Sequence, residues 1–191
     1  MAINDASKVS VGKPQVTGAI FAAPTTTTLP TDATTTLDKA FTQLGYVSDD
    51  GLTNAIDGKA EDINAWGGDT VLTVTKSRSE TFEWSFIQSL DKDVLSEVYG
   101  ASNVSTDTKG VKVMHNGKAM PRRAYVFEML LTGDVVKRIV VPNGQITALD
   151  DVEYTDSDAI AYDVTLSCYP DSSGNTAYEY IAITADDGAG A

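Results

Sequence analysis

Between Ala65 and Phe86 the chain reads AWGGDTVLTVTKSRSETFEWSF, and from Thr70 onward polar and apolar side chains alternate over most of the length. Leu72, Val74, Phe82, Trp84 and Phe86 fall on one parity, while Thr73, Thr75, Thr81, Glu83 and Ser85 fall on the other. Successive side chains of a strand point to opposite faces, so this period predicts a long β-hairpin or bent strand with one dry face and one wet face. Gly67 and Gly68 permit a tight bend before it.

The same reading predicts strands along most of the chain. Residues 1–13 are polar and read as a loose arm. QVTGAIFAAP (15–24) reads as a first strand ended by Pro24. The threonine-rich, proline-punctuated stretch 25–36 reads as a loop. A helical turn is expected within DKAFTQLGYVS, a turn at DDG (49–51), and two short strands about Asp57-Gly58 within 52–64. LDKDVLSEVYG (90–100) is the one convincing helix: Asp91 caps its start, Val94, Leu95 and Val98 form its apolar stripe, and Gly100 ends it. A helix this short is unstable alone in water and must pack on a sheet.

Beyond it, VKVMHNG ends at Asn116-Gly117, RAYVFEMLLTG is apolar almost throughout, and VVKRIVVPNGQITAL is expected to turn at Asn143-Gly144. AIAYDVTLSCYP and TAYEYIAITA then flank DSSGN. The terminal DDGAGA carries no fold signal. The predicted class is mainly β, a β-sandwich or partial barrel with one short flanking α-helix, as a single domain over residues 1–191.

Composition narrows the function more than the fold. The net charge is −13, from 27 acidic and 14 basic residues. That disfavours nucleic-acid binding, whose affinity comes mainly from cations set against phosphates. A solubilising acidic surface explains the charge, and so does a surface that must stay near nucleic acid without sticking to it. A single cysteine gives no disulfide framework, and no apolar run approaches the ~20 residues of a membrane span. The expectation is a soluble chain made in the cytoplasm of its producing cell.

The search for chemistry finds little. His115 is the only histidine and lies beside the Asn116-Gly117 turn signal, with no nucleophile elbow elsewhere to complete a Ser-His-Asp triad. Cys168 shares a parity with Val164 and Leu166 and reads as a small buried hydrophobe. The carboxylates at 150–158 and 57–62 lack a cation-loop spacing and read as solvated loops. Gly67-Gly68 belongs to no phosphate-cradling motif. Nothing requires an enzyme, and no cofactor or metal is expected.

Gly18 to Tyr99 carries a more specific signal. GAIFAAP, TLPTDATTTLDKAF, LGYVSDDG, INAWGGDTVLTVTKSRSETFEWSFIQS and DVLSEVYG follow one another in an order that resembles the major tail (tail-tube) proteins of long, flexible-tailed bacteriophages, especially those of Gram-positive and actinobacterial hosts. AWGGD followed by SRSETF carries most of the specificity; the later strands match only in β character and length. The resemblance implies a structural virion protein with a fold similar to type VI secretion tube proteins. It also implies rings, usually of six subunits, that stack into a tube through which the genome passes. Its implied partners are further copies of itself and other tail proteins, such as tape measure, tail tip and tail terminator.

On that resemblance, Thr73, Thr75, Thr81, Glu83 and Ser85 are candidates for the wall of the bore or a subunit seam, with plain outer solvent as the alternative. Leu72, Val74, Phe82, Trp84 and Phe86 are the candidate core against Val94, Leu95 and Val98. The loops 23–42 and 46–69 and the N-terminal arm are candidates for ring-to-ring contacts, with Trp66 either their anchor or a simple core or loop-pinning residue. A carbohydrate- or receptor-binding β-sandwich is the competing reading, although the tyrosines are scattered rather than clustered on one loop set.

Overall fold

A computed structural model describes residues 4–15 and 18–182. In chain order its strands are β1 (Gly12–Pro14), β2 (Ile20–Pro24), β3 (Thr42–Gln43), β4 (Val47–Asn64) and β5 (Thr70–Phe86). The helix α1 (Lys92–Tyr99) follows, then β6 (Val104–Asp107), β7 (Gly110–Val113), β8 (Arg123–Leu131), β9 (Val136–Leu149), β10 (Tyr162–Cys168) and β11 (Tyr178–Ile181). The expected 186–191 tail and the first three residues of the expected arm lie outside the described residues. The end of that arm is ordered into the sheet, because Gly12 to Pro14 pair with Leu131 to Met129.

Nine strands form one sheet in the order β3-β2-β8-β9-β10-β5-β4, with β1 on β8 and β11 on β9; β6 and β7 pair separately. β8 and β5 are three strand spacings apart, about 14 Å in a flat sheet. Yet the Phe82 and Phe127 rings stack at 4.9 Å, and Trp84 meets Phe127 edge-on at 5.5 Å. The sheet therefore curls over its own apolar face without closing, since β3 and β4 remain unpaired edges. The architecture is a β-sandwich-like fold with one short helix.

Helix α1 packs on this core through its apolar stripe. Asp91 accepts from the amides of Asp93 and Val94, at 2.7 and 3.3 Å, satisfying donors that the first turn leaves free. Gly100, with φ of 91°, ends the helix where a side chain would be strained. Val94, Leu95 and Val98 are buried with Phe82, Trp84 and Phe86 in one cluster. On the same helix Glu97 is buried and accepts from the Tyr125 hydroxyl and the Arg123 guanidinium, which ties α1 to β8. Burial raises the Glu97 carboxyl pKa against the opposing pull of Arg123 and Tyr125.

Several local expectations are corrected. Residues 52–64 do not form two short strands about Asp57-Gly58, because β4 runs unbroken for 18 residues along β5. The DDG signal at 49–51 does not reverse the chain. It becomes a bulge, with Val47 opposite Phe86 and Leu52 opposite Trp84, and Gly51 takes a φ of 78°. The turn expected within DKAFTQLGYVS is a single one from Asp38 to Phe41, closed by Phe41 N donating to Asp38 O at 3.0 Å.

Asn143-Gly144 likewise lies inside β9 rather than at a hairpin turn. Pairing slips there, from Tyr125 opposite Val141 to Arg123 opposite Gly144, so Pro142 sits at an irregularity where a missing N–H is tolerated. The glycine serves packing: a Cβ at 144 would lie 2.9 Å from Tyr125 Cδ2 and 3.0 Å from Leu166 Cδ1. Gly144→Ala is accordingly expected to cost about 1–3 kcal/mol by overpacking. Urea unfolding checks this, and an unchanged midpoint would show that the Tyr125 ring and the Leu166 side chain simply move aside.

Candidate assembly surface

β10 accompanies β5 only from Phe86 back to Glu80, the partner of Cys168. Beyond that point β5 has one neighbour, β4, and the pair continues as a free two-stranded arm from Asp57 and Ser79 outward. Eight residues of strand at about 3.3 Å each make the arm about 26 Å long. Cross-strand polar pairs hold it together. Thr73 Oγ1 donates to Asp62 at 2.6 Å, Thr70 Oγ1 to Asn64 at 2.9 Å, and Lys76 pairs with Glu61 at 2.8 Å. At the tip Ala65 N donates to Asp69 O at 2.7 Å and Gly68 N to Ala65 O at 3.0 Å, while Gly67 and Gly68 both take positive φ. That tight closure leaves Trp66 fully exposed.

The arm also explains why Leu72 and Val74 are not core residues. Leu72 is 55% exposed and Val74 is only half-buried and outside the core cluster, whereas Phe82, Trp84 and Phe86 are buried. Among the described residues no second layer covers the arm. In addition, Lys59 faces Ser77 and Ala60 faces Thr75, so Lys76 is an extra residue on β5. One inserted residue exchanges the two faces of a strand, so the parity of Phe82 does not run on into Leu72. Ile56, Ile63 and Val71 join Leu72 and Trp66 as exposed apolar residues on this one ribbon.

The five polar-parity residues separate into two groups. Thr81, Glu83 and Ser85 lie on the outer face of the sheet, directly opposite Ser167, Thr165 and Asp163 of β10. Ser85 donates to Asp163, and Thr147 of β9 shares a 2.8 Å hydrogen bond with Ser167, extending the hydroxyl-rich face by one strand. Asp50, Glu83, Asp150 and Asp163 line a shallow depression of about 170 Å³ on this face with no basic side chain among its lining. Thr73 and Thr75 stand apart, exposed on the arm.

His115 is exposed and packs its ring against Tyr99 at 4.5 Å. Cys168 is buried, and burial pushes its thiol pKa up to about 12, with Glu80 adding to the shift. Among the described residues no group of three or more His, Cys, Asp or Glu side chains is placed to hold a metal ion, and no helix is long and apolar enough to cross a membrane.

The length of β4 and the exposure of its apolar residues escape a residue-by-residue reading. Its sequence, VSDDGLTNAIDGKAEDIN, has weak β character and two turn signals. The available signal lay in β5, whose 17 residues require a partner of equal length.

A family model described as phage tail tube protein matches residues 1–189. Among curated proteins, none matches the chain. The match extends through the later strands as well as the Gly18–Tyr99 blocks, and with it the chain belongs to the phage tail tube protein family, a family of structural virion components.

Proposed function

We propose that this chain, acting as one tail-tube domain, self-assembles into stacked hexameric rings. These would form the tube through which phage DNA passes during ejection, with no catalytic step. The observation that carries this reading is β4, an 18-residue edge strand whose outer half projects from the fold with its apolar side chains uncovered. A long free edge with exposed apolar residues is a liability in a monomer, while edge pairing between neighbours in a ring removes it. Assembly takes place in the host cytoplasm, and tape measure, tail tip and tail terminator proteins are the partners at the bore and the two ends.

The outer face bearing Thr81, Glu83 and Ser85 is proposed as the bore wall. Its hydroxyls and carboxylates offer duplex DNA no cation, so successive phosphates find no binding site and the duplex slides. Glu83→Lys combined with Asp150→Lys reverses the charge at two exposed positions. Tubes of this variant are expected to retain duplex DNA at low salt and release it as salt rises, with wild-type tubes retaining none. Equal retention by both would place this face away from the bore.

Electron microscopy of concentrated protein, with a tail-tip complex supplied as initiator, tests the reading as a whole. Rings or tubes with a central channel are expected. A chain that stays monomeric with the initiator present would overturn it.

A further inference from the structure

The fully exposed Trp66 has a complementary site elsewhere on the same chain. A cavity of about 370 Å³ opens between the C-terminal end of α1, the segment following β7, and β9. Tyr99, Met114 and Met120 supply an aromatic ring and two thioethers to its wall, surfaces that suit an indole. The wall is held in place by buried Asn103. Its Nδ2 donates to Tyr99 O at 2.7 Å, its Oδ1 accepts from Asn116 at 2.7 Å, and its carbonyl accepts from Met114 N at 2.8 Å. The receptor is thus formed before anything enters it.

Charge pairs the two surfaces. Residues 60–75, the arm beyond Lys59 and Lys76, contain Glu61, Asp62 and Asp69 and no lysine or arginine. Lys76 engages Glu61, which leaves Asp62 and Asp69 as the carboxylates of the tip without an ion pair among the described residues. Residues 108–123, which include one wall of the cavity, contain Lys109, Lys112, Lys118, Arg122 and Arg123 and no carboxylate, in a chain whose net charge is −13. Arg123 is engaged by Glu97 and Arg122 lies over the Tyr169 ring, at 3.9 Å. Lys109, Lys112 and Lys118 form no ion pair among the described residues, and Lys118 lies on the cavity rim.

We propose that the arm tip of one copy docks on a second copy, with Trp66 filling this cavity and Asp62 and Asp69 facing Lys112 and Lys118. The proposal rests on the reading of the chain as a self-assembling subunit and specifies which two surfaces meet. Burial of an aromatic anchor supplies the affinity, and the opposed charges set the register and exclude other seatings.

Two measurements test it. Trp66 and Trp84 are the only tryptophans, and Trp84 is already buried, so assembly should shift the emission to the blue through Trp66 alone. Trp66→Phe should abolish that shift while still assembling, and Trp66→Ala should stay monomeric. Unshifted emission from wild-type tubes would overturn the docking.

The second measurement is a charge exchange. Asp62→Lys with Asp69→Lys, and separately Lys112→Glu with Lys118→Glu, should each reduce the assembled fraction by about tenfold or more, and the chain carrying all four should recover most of it. A four-fold variant no better than either pair overturns the contact. So does a lysine-pair variant that assembles normally and changes only the retention of duplex DNA, which would make the patch a DNA contact. In both cases wild-type tubes still form, so failure of this contact is distinct from failure of the subunit reading.

Discussion

Phe82→Ala is expected to lower the unfolding free energy by about 3–5 kcal/mol, the range for removing a buried aromatic ring from a packed core. Phe82 is 1% exposed, and its ring bridges the curl of the sheet by stacking on Phe127. Truncation removes more than one side chain's contacts, because β5 and β8 meet through these rings and not through backbone pairing. The surrounding cluster of Trp84, Phe86, Tyr125 and Leu166 is anchored in strands whose registers are fixed, so it can collapse only partly into the space. Leu72→Ala is the matching control. It shares the sequence parity of Phe82 but lies exposed on the arm, so its loss should stay within about 0.5 kcal/mol. Urea unfolding of the two variants separates the cases. A loss below about 1 kcal/mol at Phe82 would mean that the curl is held by something other than this ring pair.

The contrast between Phe82 and Leu72 also shows which parts of the fold are legible in the sequence. Period two correctly describes Glu80 to Phe86, where a strand faces a core on one side and polar partners on the other. It carries no information about where the second layer stops, and the extra residue at Lys76 is invisible without the partner strand's register. α1 is legible because all its signals are local: Asp91 at the start, Gly100 at the end and an apolar stripe between them. β4 is not, because its own preferences favour turns at Asp49–Gly51 and Asp57-Gly58, and pairing along β5 overrides them. Asn143-Gly144 misleads for a related reason, since glycine is required there by the approach of Tyr125 and Leu166 rather than by a left-handed turn.

Of the assembly surface, the sequence marks Trp66 at a glycine-rich bend but not that the bend stands at the end of a free arm. Thr73 and Thr75 alternate in step with Thr81, Glu83 and Ser85, and the two groups are separated by the end of β10 at Cys168 and by the extra residue at Lys76.

A second large loss is expected for Arg138→Met, about 3–5 kcal/mol, because it leaves a buried carboxylate without its partner. Glu128 and Arg138 sit opposite one another on β8 and β9, and both side chains are almost wholly buried. Arg138 Nε donates to Glu128 at 2.8 Å and its terminal nitrogen to the same oxygen. Its other terminal nitrogen donates at 2.8 Å to the carbonyls of both Asp32 and Thr35. The guanidinium therefore does two things: it neutralises a charge inside the sheet's packing and pins the threonine-rich segment onto the strands. That segment is already shaped for it, since the Asp32 carboxylate accepts from the amides of Thr34 and Thr35 at 2.7 and 2.6 Å. The Thr35 hydroxyl, which also donates to this carboxylate, and then these amide bonds hold the Asp32 pKa far below the usual carboxylate range.

Removing the carboxylate as well, in Glu128→Leu with Arg138→Met, should recover part of the loss, because no charge is then stranded. Recovery should remain incomplete, because the carbonyls of Asp32 and Thr35 still lack their donor. Proteolysis within residues 25–37 should rise in both variants as the segment detaches from the sheet. If the double variant unfolds as readily as Arg138→Met alone, the cost lies in the lost carbonyl bonds and not in the unpaired Glu128. If Arg138→Met is neutral and its threonine segment stays protected, the ion pair does not hold the segment to the sheet.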